Sequence, residues 1–305
     1  MNSVYKNSIA VALVALFISS ELRQAHATPI AYALASGGTS LVRFDIMNPG
    51  LTTIVGSFGG AAERIDGIDF RPSDGQLYGY AQTSNRIVTI NLNNAFTTLV
   101  STPTTASSVR NVGIDFNPVP DRLRLVNPPD QNLRINVATG DTLIDGALAY
   151  AAGDPNFGAN PVINEVAYTN SDTNAATGTT LYYIDSALDI LATTSSPNAG
   201  TLTTVGSLGF NAGELTGFDI LSDGFGGNAA YAILSSSSIH SLYRINLGTG
   251  AATAVGAFNP QVVRPFSLAI VQPTIPEPSS GMIACMLTLI ATGLAPRRKR
   301  LIGAR

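Results

Sequence analysis

The sequence predicts an all-β protein: a β-propeller-like ring of five four-stranded blades, closed by pairing of the N- and C-terminal strands. Three observations predict it. A pattern of β-type run, Asn or Asp, turn and second β-type run recurs at Asp45, Asn91, Asn136, Asp185 and Asn246. The interval is about 45 residues, the repeat length of a propeller blade, and stretches to about 60 before the last copy. A second motif precedes it, GIDF at Gly67 and Gly113 and GFDI at Gly217. The ends also complement each other. IAYALAS from Ile30 reads as a second strand without a first, and FSLAIV, Phe266 to Val271, as a first strand without a second. Joined in one blade, they would close the ring and leave no open edge.

Within a blade the predicted order runs outward from the axis. GIDF from Gly67 is the inner strand, QLYGYA from Gln76 the second, RIVTINL from Arg86 the third and TTLVS from Thr97 the outer one. RLRLVN from Arg122 and AAYAIL from Ala229 take the second place in their blades. Val, Ile, Tyr and Thr at alternating positions favour strands, and the Thr-Gly and Asn-Pro-Gly stretches favour hairpins. The fourth blade is the least regular; ALAYAA from Ala147 is its expected inner strand. Six blades or an open β-sandwich are the alternatives.

Both ends read as processing signals. Lys6, the apolar run Ile9 to Ile18 and the Ala25-His26-Ala27 site have the order of a secretory signal peptide, residues 1–27, cleaved after Ala27. At the other end, Pro276-Glu277-Pro278 precedes an apolar stretch, residues 281–295, and then Arg297, Arg298, Lys299 and Arg300. The apolar stretch is short for a membrane span, and the basic residues beyond it would stay cytoplasmic. This tail, residues 276–305, resembles the PEP-CTERM sorting signal of Gram-negative bacteria. The resemblance implies recognition by an exosortase, export across the inner membrane, transient anchoring, and delivery to the cell surface or a biofilm matrix.

Between the ends lies the expected propeller domain, residues 28–275. It keeps ten Arg against eighteen Asp plus Glu, a net charge of −8, and no Lys. An acidic domain is a poor nucleic-acid binder, because phosphate recognition needs a basic face. Cys285, the one cysteine, falls in the tail, which excludes disulfide and thiol chemistry from the domain. Membrane contact is expected only through the termini.

The repeats resemble a secreted bacterial family, the domain of unknown function 4394. The resemblance rests on GIDFRPSDGQLYGYA from Gly67, GIDFNPVPDRLRLVNPPDQNLRINVATG from Gly113, DGALAYAAGDPNFGANP from Asp145 and TLYYIDSALDIL from Thr180. It implies a propeller-like β fold and no established activity.

Three groups of residues could carry chemistry. Asp69, Asp115 and Asp219 sit in the GIDF-type strands. They would either ring a channel and hold a cation such as Ca²⁺ or accept hydrogen bonds inside the sheet; repetition in blade after blade favours the architectural role. The densest polar cluster is Asp121, Arg122, Arg124, Gln131, Asn132 and Arg134. Its guanidinium forks suit a sugar acid or a phosphate, and an internal Asp–Arg network is the plainer role for the same residues. SDGFGGN from Ser222 and DPNFGANP from Asp154 lack calcium-loop spacing and read as turns. His240 stands alone, and no catalytic spacing is evident.

The resulting expectation is an exported, non-catalytic surface or matrix protein that binds exopolysaccharide or another matrix component. A secreted propeller hydrolase or lyase, with a metal or with carboxylates alone, is one alternative. A platform for protein–protein contacts is the other.

Overall fold

A computed structural model describes residues 28–110, 112–172, 174, 176–213, 216–236, 239–259 and 265–271. The expected leader and sorting tail, with Ala25, Ala27, Pro276, Glu277, Pro278, Arg297, Arg298, Lys299 and Arg300, lie outside the described residues. Among the described residues no helix is long and apolar enough to cross a membrane.

The described residues form a five-bladed β-propeller of antiparallel blades. From the axis outward, blade 1 is Phe266–Ile270, Ile30–Ala35, Ser40–Asp45 and Asn48–Ser57. Blade 2 is Gly67–Phe70, Leu77–Ala81, Arg86–Ile90 and Phe96–Ser101. Blade 3 is Gly113–Asn117, Arg122–Asn127, Gln131–Ile135 and Thr142–Ile144. Blade 4 is Ile163–Tyr168, Leu181–Asp185, Ile190–Ser196 and Thr201–Ser207. Blade 5 is Gly217–Ser222, Asn228–Ser236, Ile239–Ile245 and Ala252–Ala257. The ring closes as the ends predict, with Tyr32 opposite Ala269 in one antiparallel pair.

Two sequence expectations for blade 4 are corrected. Its inner strand is Ile163–Tyr168, buried at all six positions, not the run from Ala147. Ala149–Tyr150 instead runs parallel outside Thr201–Ser207 as a fifth strand. In this outer place the Tyr150 hydroxyl finds a buried partner, donating to Asp185 at 2.7 Å. Asp185 is also out of step with the other repeat residues. Asp45, Asn91, Asn136 and Asn246 open the turn between third and outer strands, each accepting the N–H two residues on. Asp185 opens the turn between second and third strands, accepting from Ala187 and Leu188. An Asn or Asp stabilises either turn in the same way, so the local pattern does not say which hairpin it belongs to.

Apolar side chains pack between blades, giving five buried clusters, one for each blade-to-blade interface. Tyr32, Leu41, Ile68 and Phe70 join blades 1 and 2. Tyr80, Ile114, Phe116 and Leu133 join 2 and 3. Ala167, Ile184, Phe218 and Leu234 join 4 and 5, and Val42, Phe44, Tyr231 and Ile233 join 5 and 1. The interface of blades 3 and 4 differs. Val126 is its one residue from the strands of blade 3, against Val166, Tyr183 and Ala192 from blade 4, with Leu148 and Tyr150 from the connection between them.

At the axis the inner strands touch. A Cβ on Gly113 would lie 2.6 Å from the Glu165 Cα, a separation that only glycine permits. Each inner strand then fastens to the next through one side chain. Asp69 accepts the Phe116 N–H at 2.7 Å and Asp115 that of Tyr168 at 3.1 Å. Asp219 accepts the Ile270 N–H, and Ser267 Oγ that of Ile68. Glu165 accepts from Phe218 and completes the ring. Gly67, Gly113 and Gly217 are each followed two residues on by an Asp; where that later position holds Ala167 or Ala269, the earlier one supplies Glu165 or Ser267. One acceptor per strand is therefore kept, shifted by two residues so that it stays on the same face.

Candidate functional site

Second strands align on the position that pairs with the inner-strand Asp or Ala. Tyr32 faces Ala269, Tyr78 faces Asp69, Tyr182 faces Ala167 and Tyr231 faces Asp219. In blade 3 the partner of Asp115 is Arg124. Four blades place a tyrosine there and one places an arginine. The exception lies at the interface of blades 3 and 4, the one where blade 3 contributes a single apolar strand residue.

Arg124 is 2% exposed and almost fully hydrogen-bonded. Nε donates to the Tyr168 hydroxyl at 2.9 Å, Nη1 to Asp145 at 3.0 Å and to Asn132 Oδ1, and Nη2 to Asn198 Oδ1 at 2.9 Å. Arg134, its neighbour on the third strand, grips both oxygens of Asp145 at 2.7 and 2.9 Å. Two guanidinium groups therefore share one carboxylate. The bond to Asp145 pushes Arg134 above its ordinary value. Burial raises the Tyr168 hydroxyl, partly offset by the charge of Arg124, so the phenol stays neutral.

These groups border a cavity of about 260 Å³, lined by Asn117, Pro120, Arg122, Arg124, Arg134, Tyr168, Pro197 and Asn198. Arg122 donates to the carbonyls of Pro120 and Asp121 and makes no ion pair among the described residues. Three positive charges with one carboxylate among them leave the cavity wall positive, on a domain that is negative as a whole.

The six polar residues singled out by sequence are thus divided. Arg122, Arg124 and Arg134 line the cavity. Asn132 stands behind it, holding Arg124 and donating to the carbonyls of Gly146 and Pro197. Asp121 turns toward blade 2, where Arg71 pairs with it and holds its carboxyl below the usual range. Gln131 ties down residues 106–108, accepting from Ser108 and donating to the Ala106 carbonyl. Sequence reasoning missed Asp145, Tyr168, Pro197 and Asn198. The last two belong to a short 3₁₀ turn, Pro197–Ala199, between the third and outer strands of blade 4. Assigning the repeat turn to Asp185 hid it.

Oxygens of Asp69, Asp115 and Asp219 at the axis lie within 4.8 Å of one another, and these are the described residues whose spacing suits a cation. Both carboxyl oxygens of Asp69 and of Asp219 already accept backbone N–H groups. Burial, then the charge of Asp219, pushes Asp69 far above the ordinary carboxylate range. Burial, then Asp69 and Asp219, does the same to Asp115. Burial lifts Asp219 to about 7 and raises Glu165 strongly. Elsewhere, the two Gly-rich stretches are turns built on Asp223 and Asp154, each accepting the N–H two residues on.

Residues 40–267 match a domain of unknown function, DUF4394. No curated protein matches the chain. Among solved structures, a chain of a nidogen/laminin complex aligns with a TM-score of 0.49 and 13% identity over 81% of this chain and 100% of its own. A structural genomics protein of unknown function from Bacteroides thetaiotaomicron gives 0.48 and 12% over 79% and 56%. An auxiliary nutrient binding protein from the same organism gives 0.39 and 12% over 66% and 56%. These values carry nothing about a ligand.

Proposed function

The chain belongs to the DUF4394 family, and we propose that this member is an exported surface or matrix protein that binds acidic polysaccharide in the cavity between blades 3 and 4. One observation supports the reading above the others: the tyrosine of the four other blades is replaced by Arg124 in blade 3. What repeats around a ring serves the ring, and what departs from the repeat serves a local purpose. The departure costs apolar packing and brings a charge into the interior, where it needs partners. A polar, positively charged cavity is the return.

The ligand class follows from the donors. Guanidinium groups present planar forks that match a carboxylate, and a sugar acid supplies both the carboxylate and hydroxyls for Asn117 and Asn198. Arg122 and Arg134 would make the direct contacts. Arg124 is largely occupied and would fix the shape and charge of the wall, with Asn132, Gln131 and Asp121 holding the strands beneath. The sorting tail and leader read from sequence give the setting: processing by an exosortase and residence outside the cell. The axial carboxylates have no part in binding, so Ca²⁺ is not required.

The test is co-sedimentation and calorimetry with polygalacturonate, with neutral dextran as control, in EDTA and in Ca²⁺. Saturable binding to the acidic polymer is expected in both conditions, falling with salt and weakened about tenfold or more by Arg122→Ala with Arg134→Ala. A folded double variant that binds like the wild type would sink the assignment.

A further inference from the structure

We propose a second subsite: the turn carrying Phe225, in blade 5, is a stacking platform for the sugar rings of a chain anchored in the arginine cavity. The proposal rests on the reading of that cavity as an acidic-polysaccharide site and extends it across blade 4. Phe225 is 81% exposed, more than any other large apolar side chain described. Exposed apolar residues are common, but a floppy loop would let such a ring fold back onto the surface. This one cannot. Asp223 Oδ1 accepts the N–H of Phe225 and of Gly227, both at 2.8 Å, and the Asp223 N–H closes on the Gly227 carbonyl at 3.0 Å. Asn228 Nδ2 donates to the Gly226 carbonyl at 3.0 Å.

The same turn is tied to the cavity. Asn228 and Asn170 exchange two hydrogen bonds of 2.8 Å, the Asn170 N–H to one side-chain oxygen and Asn228 Nδ2 to the other. Asn170 lies two residues after Tyr168, which lines the cavity. Two residues of chain on one side of that link and three on the other, with the hydrogen-bonded pair between them, keep the ring within roughly 25 Å of Tyr168. A polymer of a few sugar units reaches that far, and a single sugar does not. The C–H groups on the face of a pyranose ring carry slight positive charge and meet the negative face of an aromatic ring. Phe225 offers such a face and no hydrogen bond, so it would bind sugar rings in general and leave the choice of acid to the arginines.

The chain contains no tryptophan, so Phe225→Trp places a single tryptophan at the site, excited apart from the tyrosines. Its emission should shift on adding polygalacturonate and stay unchanged with monomeric galacturonate. Phe225→Ala should weaken polymer binding about tenfold and leave monomer binding alone, and Phe225→Tyr should restore it. Polymer binding unchanged by Phe225→Ala, with Arg122→Ala weakening it, overturns the subsite and keeps the cavity. Sensitivity to Phe225→Ala without sensitivity to Arg122→Ala overturns the cavity reading. A wild type that binds no acidic polymer overturns both. Loss of binding to phosphatidylcholine vesicles in Phe225→Ala, with polymer binding intact, makes the ring a membrane contact and removes the subsite.

Discussion

The axis and the cavity between blades 3 and 4 both concentrate like charges, and they resolve the conflict in opposite ways. At the axis, carboxylates crowd together with no cationic side chain paired to them among the described residues. They accept backbone N–H groups of the next blade and, at Asp69 and Asp219, of their own strand, and burial favours the protonated form. Proton uptake there relieves repulsion without movement. In the cavity, two guanidinium groups lie side by side on neighbouring strands. A carboxylate, Asp145, stands between them, and Arg122 makes no ion pair of its own among the described residues. A cluster that can neutralise itself serves as a fastening, whereas one that stays charged invites a counter-ligand.

The comparison breaks first at Asp145. Asp145→Ala leaves a buried Arg124 without its carboxylate and is expected to cost about 3–5 kcal/mol, read as a lowered urea midpoint. An unaffected midpoint would mean that the two clusters are not different in kind. At the axis the effect should be smaller and opposite in sign. The folded forms of Asp69, Asp115 and Asp219 hold protons that the unfolded chain releases near pH 4, about the ordinary aspartate value. The folded state then binds more protons, so stability falls as pH rises from about 4 through about 7, where Asp219 titrates. Asp115→Asn keeps an acceptor for Tyr168 N–H and removes the charge. Its midpoint should equal or exceed wild type at pH 8, with a flatter dependence between pH 5 and 8. The smallest effect belongs to Arg122→Ala: within about 0.5 kcal/mol in stability, whatever it does to binding. A larger loss would make Arg122 a structural strut.

Much of this was open to a reader of the sequence. The GIDF strands, the Asx turns and the complementary ends gave blade number and closure, because a propeller repeats its local chemistry. The acceptor ring was written in the alternation of Gly-x-Asp with Glu165-x-Ala167 and Ser267-x-Ala269. Arg124 was equally visible, since RLRLVN aligns with QLYGYA and puts Arg where Tyr stands. The cavity was less so. Asp145 follows a short outer strand with no distinguishing pattern, and Pro197 and Asn198 reach blade 3 only through the packing of one blade on the next. Gln131 and Asp121 lie within a few residues of the arginines in sequence, yet bond to other neighbours. Proximity along a strand does not fix which face or which end a side chain serves.

The strand that closes the ring has a mechanical meaning. Phe266–Ile270 pairs with Ile30–Ala35, and the Val271 N–H bonds to the Ile30 carbonyl, so the chain enters and leaves the ring side by side. Pulling those two ends apart would peel the pair one bond at a time, as a zipper opens. A load applied beyond Val271 and resisted by a ligand held between blades 3 and 4 would act differently. It would drag the closing strand lengthwise past its neighbours, so that its ladder and its links through Ser267 and Asp219 yield together or not at all. A ring sewn shut in this way is weak to a tug between its own ends and strong against a load drawn along its closing strand.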